Sequence, residues 1–341
     1  MIALSTDWAP EYIVGLTYNV KGNIQSEVED IEAEYDSIET INNLKETLEQ
    51  LNCKVILLEA DRQIFSKLEN LKFDIIFNIA EGIYGRGREG QIPAILDFYK
   101  IPYTGSDSTT LCVGLDKALT KRLLSTIKVK TPQFQLVDNP FAKIDEYLKY
   151  PLIVKPNAQG SSKGIHDFAV AHDLKEAEAL VKGNIKTYEE PLLVEEYIEG
   201  REFTIGVLGN GSDKRVFHPM EIIYKDKGQV ENIYSYNVKK DYKEYIEYIC
   251  PAVLKKEIEA EMMETAERIY DLMECRDFSR IDFRLSKENE VYFIEINPLP
   301  GLAMGYSDYP MLAGFCGVEY KTLIKSILNS TLKRYGKKPI E

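Results

Sequence analysis

The chain has 341 residues, 44% hydrophobic and 28% charged, the balance of a soluble globular protein. It is too long for one ordinary core, so two or three domains are expected. A formal net charge of −13 argues against general nucleic-acid binding and a membrane-surface role, because both partners are polyanions; it leaves room for a small anion in a local basic pocket.

The opening MIALSTDWAPEY has neither a basic region nor an apolar signal core, and no apolar run is long enough to span a bilayer. Cys53, Cys112, Cys250, Cys275 and Cys316 lie far apart with no CxxC pair, as reduced thiols do, and a cytoplasmic location is expected.

YIVGLTY (12–18), KVILLEA (54–60) and FDIIFNIA (73–80) are short, apolar and rich in β-branched residues, and read as strands. Between the first two, Ile38, Ile41, Leu44, Leu48 and Leu51 recur at helical spacing behind a potential cap at Ser37. The βαβαβ order implies a parallel sheet with helices on its faces. IPYTGSDSTT (101–110) is a Pro/Gly/Ser-rich exit from this unit. DKALTKRLLSTI opens a second unit as a helix, with strands around PLIVKPN and LLVEEYI. Beyond residue 200, EFTIGVLG and KRVFHPMEIIY resemble antiparallel strands, and residues 255–274 form a long amphipathic helix.

Three stretches carry chemistry. In VYFIEINPLPGL (291–302), strand alternation sets Val291, Phe293, Glu295 and Asn297 on one face. SRIDFRL just upstream puts Arg280, Asp282 and Arg284 together, and the short SKENE link makes the two segments an antiparallel hairpin. Two carboxylates and an amide oxygen form a hard-oxygen set suited to Mg²⁺; an amphipathic hairpin with one wet face is the plain alternative. VKPNAQGSSKG (154–164) delivers Lys155 into a Gly/Ser-rich loop whose amides and Ser161 and Ser162 hydroxyls suit an anion, although the loop is not a Walker A motif and a flexible surface loop fits as well. LLVEEYIEGREFTI (192–205) brings Glu195, Glu196 and Glu202, carboxylates suited to an adenine amino group or ribose hydroxyls, or else simply exposed on an edge.

In this order and spacing the three stretches, with IPYTGSDSTTLCVGLDKALTK, CPA (250–252) and the YP after Ser307, resemble the D-alanine–D-alanine ligase family of the ATP-grasp superfamily from roughly residue 73 to 320. The resemblance implies an α/β and α+β chain of three domains. Residues 1–110 would form an N-terminal α/β domain, and residues 111–200 and 201–341 the two units that clamp ATP. It implies an ATP-dependent carboxylate–amine ligase working through an acyl phosphate, with one or two Mg²⁺ ions that Mn²⁺ could replace, small amino-acid substrates and a homodimer. Lys117 and Lys155 would contact nucleotide phosphates. Glu195, Glu196, Tyr197 and Ile198 would line the adenine pocket, and Glu202 would bind ribose. Ser161 and Ser162 sit in the loop over phosphate. Asp282, Glu295 and Asn297 match metal ligands, Arg280 and the Gly301 N–H match oxyanion-stabilising groups, and Ser307 lies near the second substrate's carboxylate.

The departures fall on the amino-acid side. Where the family commonly has His-Gly, this chain reads FNIAEGIYGRGREGQ, with Asn78 and Glu81. The glutamate that holds the first ammonium has no clear match, though EAEYDSIET offers Glu34 or Asp36. In IYSYNVKKDYKEYIEYICPA, Lys239 matches a lysine that reaches ATP, but Lys240 replaces the tyrosine common in D-alanyl-D-alanine formers. D-alanine is therefore the leading substrate, with another amino acid, a hydroxy acid or a natural-product carboxylate as the alternative, and a catalytically silent nucleotide binder as a second.

Overall fold

The computed structural model describes residues 10–22, 32–160, 169–225 and 242–341. Strands β1 (Tyr12–Tyr18), β2 (Cys53–Glu59) and β3 (Ile75–Asn78) form a parallel sheet in the order β2-β1-β3. The helix Ile38–Glu49 joins β1 to β2, and Ser37 caps it by accepting the Thr40 N–H at 3.1 Å. Both faces of this sheet are covered, as parallel strands require. Ile76 and Leu58 pack on the helices Ile64–Asn70 and Gln91–Tyr99. Val14, Leu16, Ile75 and Phe77 face Leu44 and Leu48 together with Leu323, Ile324, Ile327 and Leu328 of the helix Tyr320–Arg334. Each such buried side chain contributes about 1.5–3 kcal/mol. The first sheet thus shares its core with the last helix.

The Pro/Gly/Ser-rich exit is short. Asp107 accepts the Thr110 N–H and opens the helix Ser108–Leu115, and Asp116 caps the next helix, Lys117–Ser125. Two antiparallel sheets follow. The smaller runs β4 (Phe134–Val137), β7 (Leu192–Glu196), β5 (Leu152–Pro156), β6 (Val170–Ala171), and packs on the helix Leu174–Tyr188. The larger has the order β11 (Ile246–Ile249), β10 (Met220–Tyr224), β8 (Gly200–Leu208), β12 (Phe278–Ser286), β13 (Val291–Asn297), with β9 (Arg215–Val216) beside β8. Ile258, Met262, Ala266 and Ile269 of the helix Lys256–Leu272 close its core. Among the described residues, no helix is long and apolar enough to cross a membrane.

Candidate active site

Strands β12 and β13 pair as an antiparallel hairpin, with Arg280 opposite Asn297 and Asp282 opposite Glu295. The alternation along β13 is not strict. Asp282 pairs with Glu295 but Phe283 pairs with Phe293, so Ile294 is an extra residue in a β-bulge. The bulge resets the faces: Val291 and Phe293 enter the core with Ile296, while Glu295 and Asn297 turn to the polar side. Strict period two groups Val291, Phe293, Glu295 and Asn297 on one face, and one inserted residue separates them.

Arg280 organises this side. Its Nε and Nη2 meet the two oxygens of Asp282 at 3.1 and 2.9 Å, and its Nη1 reaches Asp308 Oδ2 at 3.1 Å. Burial works against its charge, yet Asp282 and Asp308 raise its pKa further. Burial pushes the Asp282 carboxyl up; Arg280 opposes this and Glu295 adds to it. Glu295 behaves oppositely. Burial alone would raise it, but Lys117, Lys155 and Arg280 draw it down to about 2. Asn297 Oδ1 accepts the Leu299 N–H at 3.1 Å.

The donor set of Asp282, Glu295 and Asn297 fits a hard divalent cation. Two carboxylates stand side by side, one held upward by the other, and carboxylate oxygens keep lone pairs beyond the bonds they accept. Among the described residues, no group of three or more His, Cys, Asp or Glu comes together as a metal site, so Asn297 is needed to complete this set.

Behind the hairpin lies a buried ion cluster. Glu195 takes Lys155 Nζ at 2.6 Å on one oxygen and Lys121 Nζ at 3.0 Å on the other, with all three side chains almost wholly buried. Burial lowers the pKa of Lys121 in spite of Glu195. Burial also opposes Lys155, yet Glu195 and Glu295 hold its pKa above the usual lysine value. Glu295 acts on both lysines as well, so the two ammonium groups are balanced by two carboxylates. Lys117 lies alongside, 3.6 Å from Glu295, and its Nζ donates to the Gln159 carbonyl at 2.5 Å, where the glycine-rich loop starts.

Glu202 on β8 accepts Tyr224 Oη at 2.7 Å and Arg284 Nη1 at 3.3 Å, and burial raises its pKa. Arg284 lies over the Tyr197 ring at 4.7 Å. Glu196 accepts the Lys149 N–H at 2.9 Å, and Ile198 is half-buried just beyond β7.

A cavity of about 400 Å³ opens at the carboxyl ends of β1 and β3, between residues 33–43 and the chain that leaves the hairpin. Arg280, Asn297, Gly301, Ser307 and Asp308 line one wall; Glu34, Asp36, Glu39 and Glu81 line the other, with Lys21. Ser307 Oγ accepts the Ala303 N–H at 3.1 Å and sits where a side chain on residue 301 would crowd it, which explains the glycine. Burial, then Glu89 and Glu34, pushes Glu81 well above the usual carboxylate range, against Arg88. Glu34 pairs with Arg88 through both Nε (3.0 Å) and Nη2, and also accepts the Gly160 N–H at 2.5 Å. Arg88 Nη1 holds the Ala158 carbonyl at 2.7 Å. This triad ties the first unit to the start of the glycine-rich loop.

The hairpin residues, Lys117 and Lys155 converge on one region, with Gly301, Ser307 and Glu81 around the adjoining cavity. Ser161, Ser162, Lys239 and Lys240 lie outside the described residues. Sequence reading missed Lys121, Arg88 and Asp308. Lys121 left a signal: it follows Lys117 by four residues and so shares its helix face.

A family model described as D-ala D-ala ligase C-terminus matches residues 124–329. The D-alanine–D-alanine ligase of Aquifex aeolicus is 33% identical, over 86% of this chain and 94% of the relative. That of Thermotoga maritima is 32% identical over 88% and 94%. A crystal structure of the Bacillus anthracis D-alanine–D-alanine ligase complexed with ATP superposes with a TM-score of 0.74 at 19% identity, covering 95% of this chain and 99% of that one. VanG D-Ala:D-Ser ligase of Enterococcus faecalis gives 0.73 at 20%, covering 93% and 98%. The architecture is thus the ATP-grasp fold, and the chain belongs to the D-alanine–D-alanine ligase family of ATP-dependent ligases.

Proposed function

We propose that the protein uses ATP to activate the carboxylate of one amino acid as an acyl phosphate and joins it to the amine of a second, with D-alanine as the leading substrate for both positions. The carrying observation is the position of Arg280, which touches Asp282 on the hairpin and Asp308 on the cavity wall. It stands between the lysine cluster and the cavity, where negative charge passes from the phosphoryl group to the tetrahedral carbon's oxygen. In this reading Lys117 and Lys155 hold phosphates, Glu202 and the stretch Glu195–Ile198 hold the nucleoside, with the Glu195 carboxylate itself committed to Lys155 and Lys121, and Ser161, Ser162 and Lys239 close over it. Asp282, Glu295 and Asn297 would hold Mg²⁺ (one ion or two, or Mn²⁺), which neutralises phosphate oxygens when bound. Arg280 and the Gly301 N–H stabilise the oxyanion, and Ser307 receives the second carboxylate.

The test is phosphate release from Mg·ATP over D- and L-amino acids offered singly and in pairs, with products identified by mass. D-alanine alone yielding a dipeptide supports the reading; no release with any acid or pair sinks it. A second reading keeps the chemistry and changes the first substrate. It is favoured by the acidic cavity wall, where Asp36 and Glu81 face the opening and Arg88 is paired with Glu34. Amino acids with a second ammonium group therefore belong in the panel.

A further inference from the structure

Of the five cysteines, Cys53 and Cys275 are buried and Cys112 Sγ donates to the Gly87 carbonyl. Cys250 and Cys316 differ. Their sulfurs lie 3.9 Å apart, and both are half-buried and so within reach of a small reagent. Cys250 follows β11, and Cys316 caps the C-terminal end of the helix Asp308–Phe315. Their surroundings polarise the pair. The hydrogen bond with Cys250, then His218 and Arg215, draws the Cys316 thiol down to about 6 against burial. That same hydrogen bond, then burial, Cys316 and Glu259, pushes Cys250 up. A thiolate beside a protonated thiol is the reactive arrangement for disulfide exchange.

We propose that Cys250 and Cys316 form a reversible disulfide that ties β11 to the helix Asp308–Phe315 and slows the ligase while closed. The oxidant is a low-molecular-weight disulfide. The Cys316 thiolate attacks one of its sulfurs, forming a mixed disulfide and expelling a thiolate. Cys250 then gives its proton to solvent, attacks the Cys316 sulfur and expels the second thiolate. Two protein thiols are oxidised, and one small disulfide is reduced to two thiols.

Closure acts on the site through Tyr248 and Asp308. Tyr248 on β11 donates to Asp308 Oδ1 at 2.6 Å, and the other Asp308 oxygen accepts from Arg280. Bringing the sulfurs from 3.9 Å to the bonded distance of about 2.05 Å draws strand and helix together. A displacement near 1 Å at a reacting group costs up to about a hundredfold in rate.

The test uses the full chain, incubated with oxidised glutathione, alkylated with iodoacetamide and mapped by mass spectrometry. A peptide linking Cys250 to Cys316, released by dithiothreitol, is expected. Separate alkylation of both, a stable glutathione adduct on Cys316 beside a free Cys250, or a bridge to another cysteine would overturn the pairing. This readout needs no substrate, so it stands or falls separately from the amino-acid assignment. Phosphate release should fall about ten- to hundredfold on oxidation, recover with dithiothreitol, and stay unchanged in Cys316→Ser and Cys250→Ser. A bridged protein at full rate, or equal loss in the serine variants, would overturn the switch.

Discussion

Arg280 holds Asp282 bidentately and Asp308 singly, so it is fixed in direction before any substrate arrives. A cation fixed in this way stabilises developing charge without reorganising, and losing one such contact costs about 2.7–4 kcal/mol of barrier. Arg280→Ala is therefore expected to lower turnover at least ~100-fold, with circular dichroism confirming the fold; near-normal turnover would remove Arg280 from the chemistry. Glu89 gives a residue-scale prediction about stability. Burial raises its pKa to about 8, against Arg88, so the folded state keeps a proton that the unfolded chain loses near 4.5. The folded state binds more protons across that window, so stability falls as pH rises from about 4.5 to about 8 and then levels off. Glu89→Gln should flatten the decline, as urea midpoints near both ends of the window would reveal. An equally steep decline in the variant would place the effect elsewhere.

Among the elements, one buried joint lies on Asp277, just before β12. One oxygen accepts the Gly105 N–H, Thr331 Oγ1 and Arg334 Nη2, each at 2.8 Å, and the other takes Asn210 Nδ2 at 2.6 Å. This wholly buried carboxylate connects the exit of the first unit, the turn after β8 and the last helix. Asp277→Ala leaves Arg334 without its carboxylate, and breaking a buried pair costs about 3–5 kcal/mol. Chemical denaturation should show a loss of that size; a change of less than about 0.5 kcal/mol, typical of a surface site, would contradict it. The hairpin shows what sequence can convey at this scale. Its strands and short link were legible because apolar alternation and turn residues are local signals. The bulge at Ile294 was not, because an inserted residue is detected only against its partner strand.

For the molecule as a whole, the parallel order of the first sheet followed from βαβαβ spacing, and β1 falls on Tyr12–Tyr18 as its pattern implied. Partner choice was beyond local reading. Nothing around Glu195 announces that Lys121 and Lys155 will enclose it, nor does EAEYDSIET announce Arg88, since those pairs form across elements far apart in the chain. The shared core has a further consequence for biogenesis. The first sheet packs on Leu323, Ile324, Ile327 and Leu328, and both antiparallel sheets are encoded in between. At roughly 5–20 residues per second of synthesis, β1 to β3 wait on the order of tens of seconds with one apolar face covered only by the helix Ile38–Glu49. During that interval the exposed apolar surface makes the nascent chain prone to aggregate, a hazard absent from the finished enzyme.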